Sequence, residues 1–156
     1  MVIEGFIASI VSILLSTAGV SARANGDIIY VPSLGHKFIV TLSCVDLIGV
    51  LLQAFIYGFV VWVYVVANDR SLRRRTYLIL GVTGFVAFFF ANMLRMFMEI
   101  YLLARVYAPV YQHYLLTWQA FEEQVGIAVM FATLLVLLLP SCLLLRRGMG
   151  KRVIYY

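Results

Sequence analysis

The stretch FFFANMLRMFME, residues Phe88–Glu99, places three polar side chains in a segment that is otherwise apolar enough to span a bilayer. These are Asn92, Arg95 and Glu99 at positions i, i+3 and i+7, so a helix presents them on one face. An arginine near the centre of a transmembrane helix costs ~2.5–3.5 kcal/mol on insertion scales. Such a residue usually faces a protein interior and has a function, so the question is which other side chains meet this face.

The composition of the whole chain is that of a membrane protein. Of the 156 residues, 64% are hydrophobic and 12% are charged, and the mean hydropathy is +1.01; these values exclude an ordinary soluble domain. Lys and Arg outnumber Asp and Glu by 12 to 7, a surplus that in this class reports orientation and lipid contact. We therefore expect a multi-pass protein of the cell (plasma) membrane, with membrane lipids as partners and no nucleic acid.

Four apolar runs predict an all-α membrane protein with about four transmembrane helices in a single domain. The predicted helices are 2–20, 38–67, 77–104 and 118–145. The first run resembles a signal peptide, but it lacks a positively charged start, so we interpret it as a retained helix. Asn25-Gly26-Asp27 is a turn signal and Ile28–Val31 has strand character, which predicts a short extracytoplasmic β-hairpin between helices one and two.

The positive charges predict the orientation of these helices. Eight lie at the ends assigned to one side of the membrane: Arg70, Arg73, Arg74, Arg75, Arg146, Arg147, Lys151 and Arg152. Three lie on the other side: Arg23, Lys37 and Arg105. The positive-inside rule then places both termini in the cytoplasm and the loops 21–37 and 105–117 outside.

Several polar side chains are predicted to lie at one depth in the membrane. With a helix rise of about 1.5 Å per residue, Cys44 lies roughly 9 Å into helix two from its outer end. Arg95 lies roughly 27 Å from the inner start of helix three, which is also near the outer leaflet. Glu122 lies close to the outer start of helix four, and His113 lies just above it in a loop. We therefore expect a thiol, a guanidinium and a carboxylate in one outer layer.

The chemistry that this layer suggests is nucleophilic. A buried cysteine is inert unless its thiolate is stabilised, and a nearby cation such as Arg95 does that. Arg95 could equally hold the oxyanion of an acyl intermediate, with His113 or Glu122 as the general base. By themselves, His113 also suits a surface loop and Glu122 a helix start. The histidines and cysteines lack ligand spacing, so we expect neither a metal site nor a cofactor.

The other polar residues have structural interpretations beside the functional ones. Cys44 alone would be a small buried hydrophobe, and Arg95 could merely pair with Glu99 one turn further on. Asn92 and Asp46 suit hydrogen bonds between helices. In the functional interpretation Asn92, Asp46 and Glu99 instead support the site.

Three stretches of the chain resemble those of a known family, the exosortase/archaeosortase membrane transpeptidases. The segment Gly19–Cys44, with NGDII in its middle and VTLSC at its end, resembles the strand-bearing segment before that family's active cysteine. Asn92–Arg95 (NMLR) resembles its NxxR element, and Phe121–Gly126 followed by Phe131 resembles its final helix. The resemblance covers about residues 15–140.

The resemblance implies a catalytic Cys–Arg–His or Cys–Arg–Arg set, here Cys44 and Arg95 with His113 or Glu122 in the third position. It implies cysteine-dependent cleavage and transpeptidation of the C-terminal sorting signals of surface proteins, whose sorting helix would be a partner. The chain departs from the family pattern because Cys44 is followed by Val45-Asp46 rather than Ser-Gly, and because Glu122 stands where a histidine is expected.

The alternative function belongs to a different class. The chain is small, its helices are rich in aromatic residues and its third catalytic residue is ambiguous. These features favour a non-catalytic accessory subunit, built on the same fold and packed against other membrane-protein subunits of a larger complex.

Overall fold

The computed structural model describes residues 2–41, 44, 46–68, 74–107 and 115–148, and helices dominate it. The helices are α1 Val2–Thr17, α2 Leu47–Ala67, α3 Arg74–Leu102 and α4 Leu115–Gly148, and a π-helical turn Leu103–Tyr107 continues α3. Three stretches, Leu47–Ala67, Arg74–Val106 and Phe121–Leu143, are long and apolar enough to cross a membrane. The expectation of a helical membrane protein is therefore supported. α1 has 16 residues, and its length of about 24 Å is short of a ~30 Å hydrocarbon core.

A small antiparallel sheet lies between α1 and α2 in the chain. Its strands are β1 Arg23–Asn25, β2 Ile28–Val31 and β3 His36–Ile39, in the order β1-β2-β3. Asn25 pairs with Ile28, so Gly26 and Asp27 form a two-residue loop. Gly26 has φ +63°, the positive φ that the first central position of a type II′ turn requires. The predicted hairpin is thus present, and a third strand extends it.

The third strand corrects the predicted start of the second helix. β3 occupies the beginning of the run that was assigned to a helix over 38–67, and α2 begins only at Leu47. The alternation of a strand is invisible in a continuous apolar run. The carboxylate of Asp46 accepts a hydrogen bond from Gly49 N–H at 3.1 Å and caps the first turn of α2. Cys44 has helical backbone conformation but lies before α2 rather than inside it. The other predicted helix ends differ from the structure by at most three residues.

Two apolar clusters hold the fold together, and α3 contributes to both. The sheet-end cluster joins α1, the sheet and the second half of α3, with buried members Ile7, Val11, Leu15, Ile29, Val31, Val40, Met93, Met96 and Ile100. The helical-end cluster joins α2, the first half of α3 and α4, with buried members Val50, Tyr57, Val61, Val65 and Phe88. The polar face of α3 therefore lies in the half of that helix that meets the sheet.

Candidate functional site

The backbone of Cys44 is hydrogen-bonded to Thr41, which lies two residues after the end of β3. Cys44 N–H donates to the Thr41 carbonyl oxygen at 3.0 Å and lies 3.4 Å from Thr41 Oγ1. The Cys44 Sγ atom is 3.4 Å from the same hydroxyl and 3.8 Å from the carbonyl oxygen of Ile39. The thiol thus has two polar neighbours, and both come from the segment that leaves the sheet.

Two side chains of α3 reach the carbonyl oxygen of Cys44. Asn92 Nδ2 donates to it at 2.9 Å and Arg95 Nη2 at 3.2 Å. Arg95 Nε also donates to Asn92 Oδ1 at 3.0 Å, so the two side chains form a connected pair. A carbonyl oxygen has two lone pairs, and these two donors use both. The polar face of α3 therefore holds the backbone of the cysteine residue in place.

Glu99 engages the remaining nitrogen of the guanidinium. Arg95 Nη1 lies 3.4 Å from Glu99 Oε1, and Glu99 is only 6% exposed. Within the described residues this oxygen accepts no hydrogen bond, so charge rather than hydrogen-bond alignment joins the two groups. A buried carboxylate without a cation would be strongly destabilising, and Arg95 prevents this.

A cavity of about 130 Å³ opens between the sheet, α3 and α4. Its polar walls are Cys44, Arg95, Glu99 and Glu122. Its apolar walls are Ile29, Phe38, Ile39, Val40, Met96 and Ile100. The structure thus brings a thiol, a guanidinium and two carboxylates around one small cavity.

A glycine allows α4 to approach the arginine at this level. A Cβ atom built on Gly126 would lie 3.3 Å from Cδ of Arg95, so a larger side chain would press on the arginine. Glu122 lies one turn earlier on the same face of α4 and lines the cavity. The absence of a side chain at Gly126 is therefore what lets α4 close this side of the cavity.

The remaining predicted site residues are placed elsewhere or lie outside the described residues. Asp46 is exposed and serves as the cap of α2, which differs from the role between helices that the sequence suggested. His113 lies outside the described residues. Within the described ranges, no three His, Cys, Asp or Glu side chains are grouped as metal ligands would be.

Thr41 and the carbonyl of Ile39 contact the thiol, although the sequence did not indicate them as site residues. A hydroxyl three residues before a cysteine can reach back to it in a turn, so a signal existed. Using it required knowing that Cys44 lies before α2 rather than inside it, and the uninterrupted apolar run concealed that.

Comparisons with known proteins found no relative of this chain. The function must therefore be argued from the geometry around Cys44. No protein-family model matches the chain, and neither the curated proteins nor the solved structures yielded a similar one.

Proposed function

We propose that this chain is a membrane cysteine transpeptidase or protease, similar to exosortases and archaeosortases, that processes the C-terminal sorting signals of surface proteins. The observation that carries the proposal is the pair of hydrogen bonds from Asn92 and Arg95 to the carbonyl oxygen of Cys44. These two residues are the Asn and Arg of the NMLR stretch on which the resemblance rests. They hold the cysteine beside a cavity that also contains the carboxylate of Glu122.

The proposed reaction begins with attack of the Cys44 thiolate on a peptide carbonyl carbon. The C–S bond forms, the peptide C–N bond breaks, and the leaving amine takes up a proton. The resulting thioester is resolved by an acceptor nucleophile, which releases the thiol and completes the transfer. Glu122 lines the cavity, whereas Glu99 pairs with Arg95. Glu122 is therefore one candidate base for the proton of the thiol, and His113 is the other. Arg95 fixes the position of the nucleophile through the Cys44 backbone.

The test is a search for a covalent adduct at Cys44. The protein is isolated from its native membranes and its mass is measured intact, before and after treatment with neutral hydroxylamine, which cleaves thioesters. We expect a peptide-sized adduct that hydroxylamine removes and that is missing in Cys44→Ser. Arg95→Lys should remain folded but lose the adduct, because a point charge cannot replace the planar fork. If the wild-type protein never carries such an adduct, the proposed enzymatic function is refuted.

A second candidate is supported by the engagement of the whole guanidinium. The nitrogens of Arg95 contact Asn92, the Cys44 carbonyl and Glu99, which is also what a purely structural clamp would do. In this alternative the chain is a non-catalytic subunit of a larger membrane complex. Purification in a mild detergent distinguishes the two, since stoichiometric co-purification with other membrane subunits, without an adduct at Cys44, supports the alternative.

We further propose that the sheet lies on the outer side of the cell membrane, with both termini in the cytoplasm and α1 as a fourth span. The support is the distribution of eight against three positive charges. In a variant without the native cysteines, Ser33→Cys should react with an impermeant maleimide from outside, whereas Ser71→Cys and Val2→Cys should not. Labelling of Val2→Cys would instead place α1 beside the sheet on the outer side. The reverse pattern at Ser33 and Ser71 would refute the orientation.

A further inference from the structure

β3 is an edge strand whose outward backbone groups can be identified. Within the described part of the chain, β3 pairs with β2 alone. Val40 N–H donates to the Asp27 carbonyl oxygen at 2.8 Å, and the bonding pattern of an antiparallel pair alternates along the strand. Phe38 therefore directs its backbone groups toward β2, whereas Lys37 and Ile39 direct theirs away from the sheet.

The thiol of Cys44 lies at this same edge. Its nearest carbonyl on β3 is that of Ile39, at 3.8 Å from Sγ, and this is one of the outward-directed groups. Phe38 and Ile39 also line the cavity that contains Cys44 and Glu122. A peptide that paired with the backbone of Lys37 would therefore lead directly to the thiol and the cavity.

We propose that the segment to be cleaved binds as an extended strand along β3, with its scissile carbonyl beside Cys44 Sγ. This inference rests on the proposed function and adds the mode by which the substrate is recognised. An unpaired strand edge is a template for another strand, and strand addition supplies affinity through main-chain hydrogen bonds and specificity through alternate side chains. Lys37 N–H and C=O provide such bonds, two residues before the Ile39 carbonyl that contacts the nucleophile.

The exposed face of the sheet adds a preference for charge. Arg23, Tyr30 and Lys37 form one cross-strand row, because Arg23 pairs with Tyr30 and Tyr30 with Lys37. All three side chains are exposed. In an added strand, the residue opposite Lys37 extends this row on the same face, two positions from the residue opposite Ile39. The row therefore favours a peptide with an acidic side chain two residues from the one that meets the thiol.

The first test measures peptide binding separately from chemistry, in the full chain carrying Cys44→Ala. The probes are fluorescent, acetylated six-residue peptides of valine and threonine with one aspartate, and binding is followed by fluorescence anisotropy. N-methylation of the alternate amides that face β3 should weaken binding about tenfold or more, since hydrogen bonds are lost. N-methylation of the intervening amides is the matched control and should change binding little.

The second test changes the edge itself. Lys37→Pro removes an N–H that points away from β2, so the pairing of β2 with β3 is kept. Lys37→Ala removes the same side chain but keeps the N–H. We expect Lys37→Pro to bind the peptides at least about tenfold more weakly than Lys37→Ala. Lys37→Glu should shift the preference from aspartate to lysine at the position two residues from the scissile one.

The outcomes separate this proposal from the proposed function. If no peptide binds, if N-methylation has the same effect at every position, or if Lys37→Pro behaves like Lys37→Ala, the strand-addition proposal is wrong. Suppose that Cys44→Ala binds the peptides with the alternating pattern but that the wild-type protein forms no hydroxylamine-sensitive adduct. In that case strand binding along β3 is confirmed and the proposed enzymatic function is refuted.

Discussion

The two halves of α3 are fastened by different kinds of interaction. At the sheet end, Asn92 and Arg95 donate hydrogen bonds to the backbone of Cys44. At the helical end, the ring of Tyr57 packs against Gly84, where a Cβ atom would lie only 2.8 Å from the ring. The same Tyr57 places its hydroxyl 2.6 Å from Ser141 Oγ. One half fixes a backbone group with charge and amide donors, and the other fixes an aromatic ring by close packing.

This difference shows what each half needs in an apolar surrounding. Lipid chains compete with apolar side chains for contact, so helices in a membrane associate by close packing at small residues and by isolated hydrogen bonds. At the helical end, Gly84 provides the close packing and the Tyr57 hydroxyl provides the isolated hydrogen bond. The sheet end instead uses an arginine and a buried carboxylate, and the donors of this polar face fix the backbone of Cys44.

The largest expected effect comes from removing the charge at the sheet end. Arg95→Met leaves the buried carboxylate of Glu99 without its cation and the Cys44 carbonyl without one donor. Breaking a buried ion pair in this way costs about 3–5 kcal/mol. Thermal unfolding of the detergent-solubilised protein should show a large loss of stability.

The control for this prediction is the double variant Arg95→Met with Glu99→Gln. The double variant removes the unpaired negative charge of Glu99, so it should recover a substantial part of the lost stability. If the Arg95→Met protein were as stable as the wild type, the polar contacts of Arg95 would not stabilise the sheet end of α3.

The second effect concerns close packing at the helical end. Gly84→Ala should destabilise by about 1–3 kcal/mol, because its Cβ atom meets the ring of Tyr57 in a packed interface. Gly81→Ala is the matched control on the same helix, since a Cβ atom there meets nothing within 4 Å. It should be neutral or stabilise by up to about 1 kcal/mol through helix propensity. Equal unfolding free energies of the two variants would contradict close packing of the Tyr57 ring against Gly84.

A smaller effect is expected from the polar contact at the helical end. Tyr57→Phe removes the hydroxyl that contacts Ser141 and should cost about 0.6 kcal/mol, the average for hydrogen bonds between membrane helices. A double-mutant cycle with Ser141→Ala isolates the pair. A coupling energy near zero would show that the ring and not the hydroxyl matters.

The smallest effect on stability is expected from Thr41→Val. Thr41 is exposed, so the change in unfolding free energy should stay within about 0.5 kcal/mol. Its hydroxyl lies 3.4 Å from Cys44 Sγ, however, and a hydrogen bond from it would stabilise the thiolate. Alkylation of Cys44 by iodoacetamide at neutral pH should therefore slow by roughly two- to tenfold. Cys142 in the same protein is the internal control, and its rate should not change.

A large part of the architecture could be predicted from the sequence because it follows from local pattern. Long apolar runs predict spanning helices, and the turn signal at Asn25–Asp27 predicts the hairpin. The spacing of Asn92, Arg95 and Glu99 places them on one helix face. The start of α2 could not be predicted, because the end of β3 at Phe38 and Ile39 leads into the apolar run of the helix, where strand and helix residues read alike.

The sequence by itself determined the long apolar helices of this protein and the polar face of α3, since both depend on neighbours along the chain. Only the tertiary structure decided what that face touches, because hydrogen-bond partners are set by distances between segments far apart in sequence. Arg95 meets the carbonyl of Cys44, Gly126 admits α4 to the cavity, and the thiol meets the edge of β3. These contacts arise because β3 occupies the expected helix start and α2 begins only at Leu47.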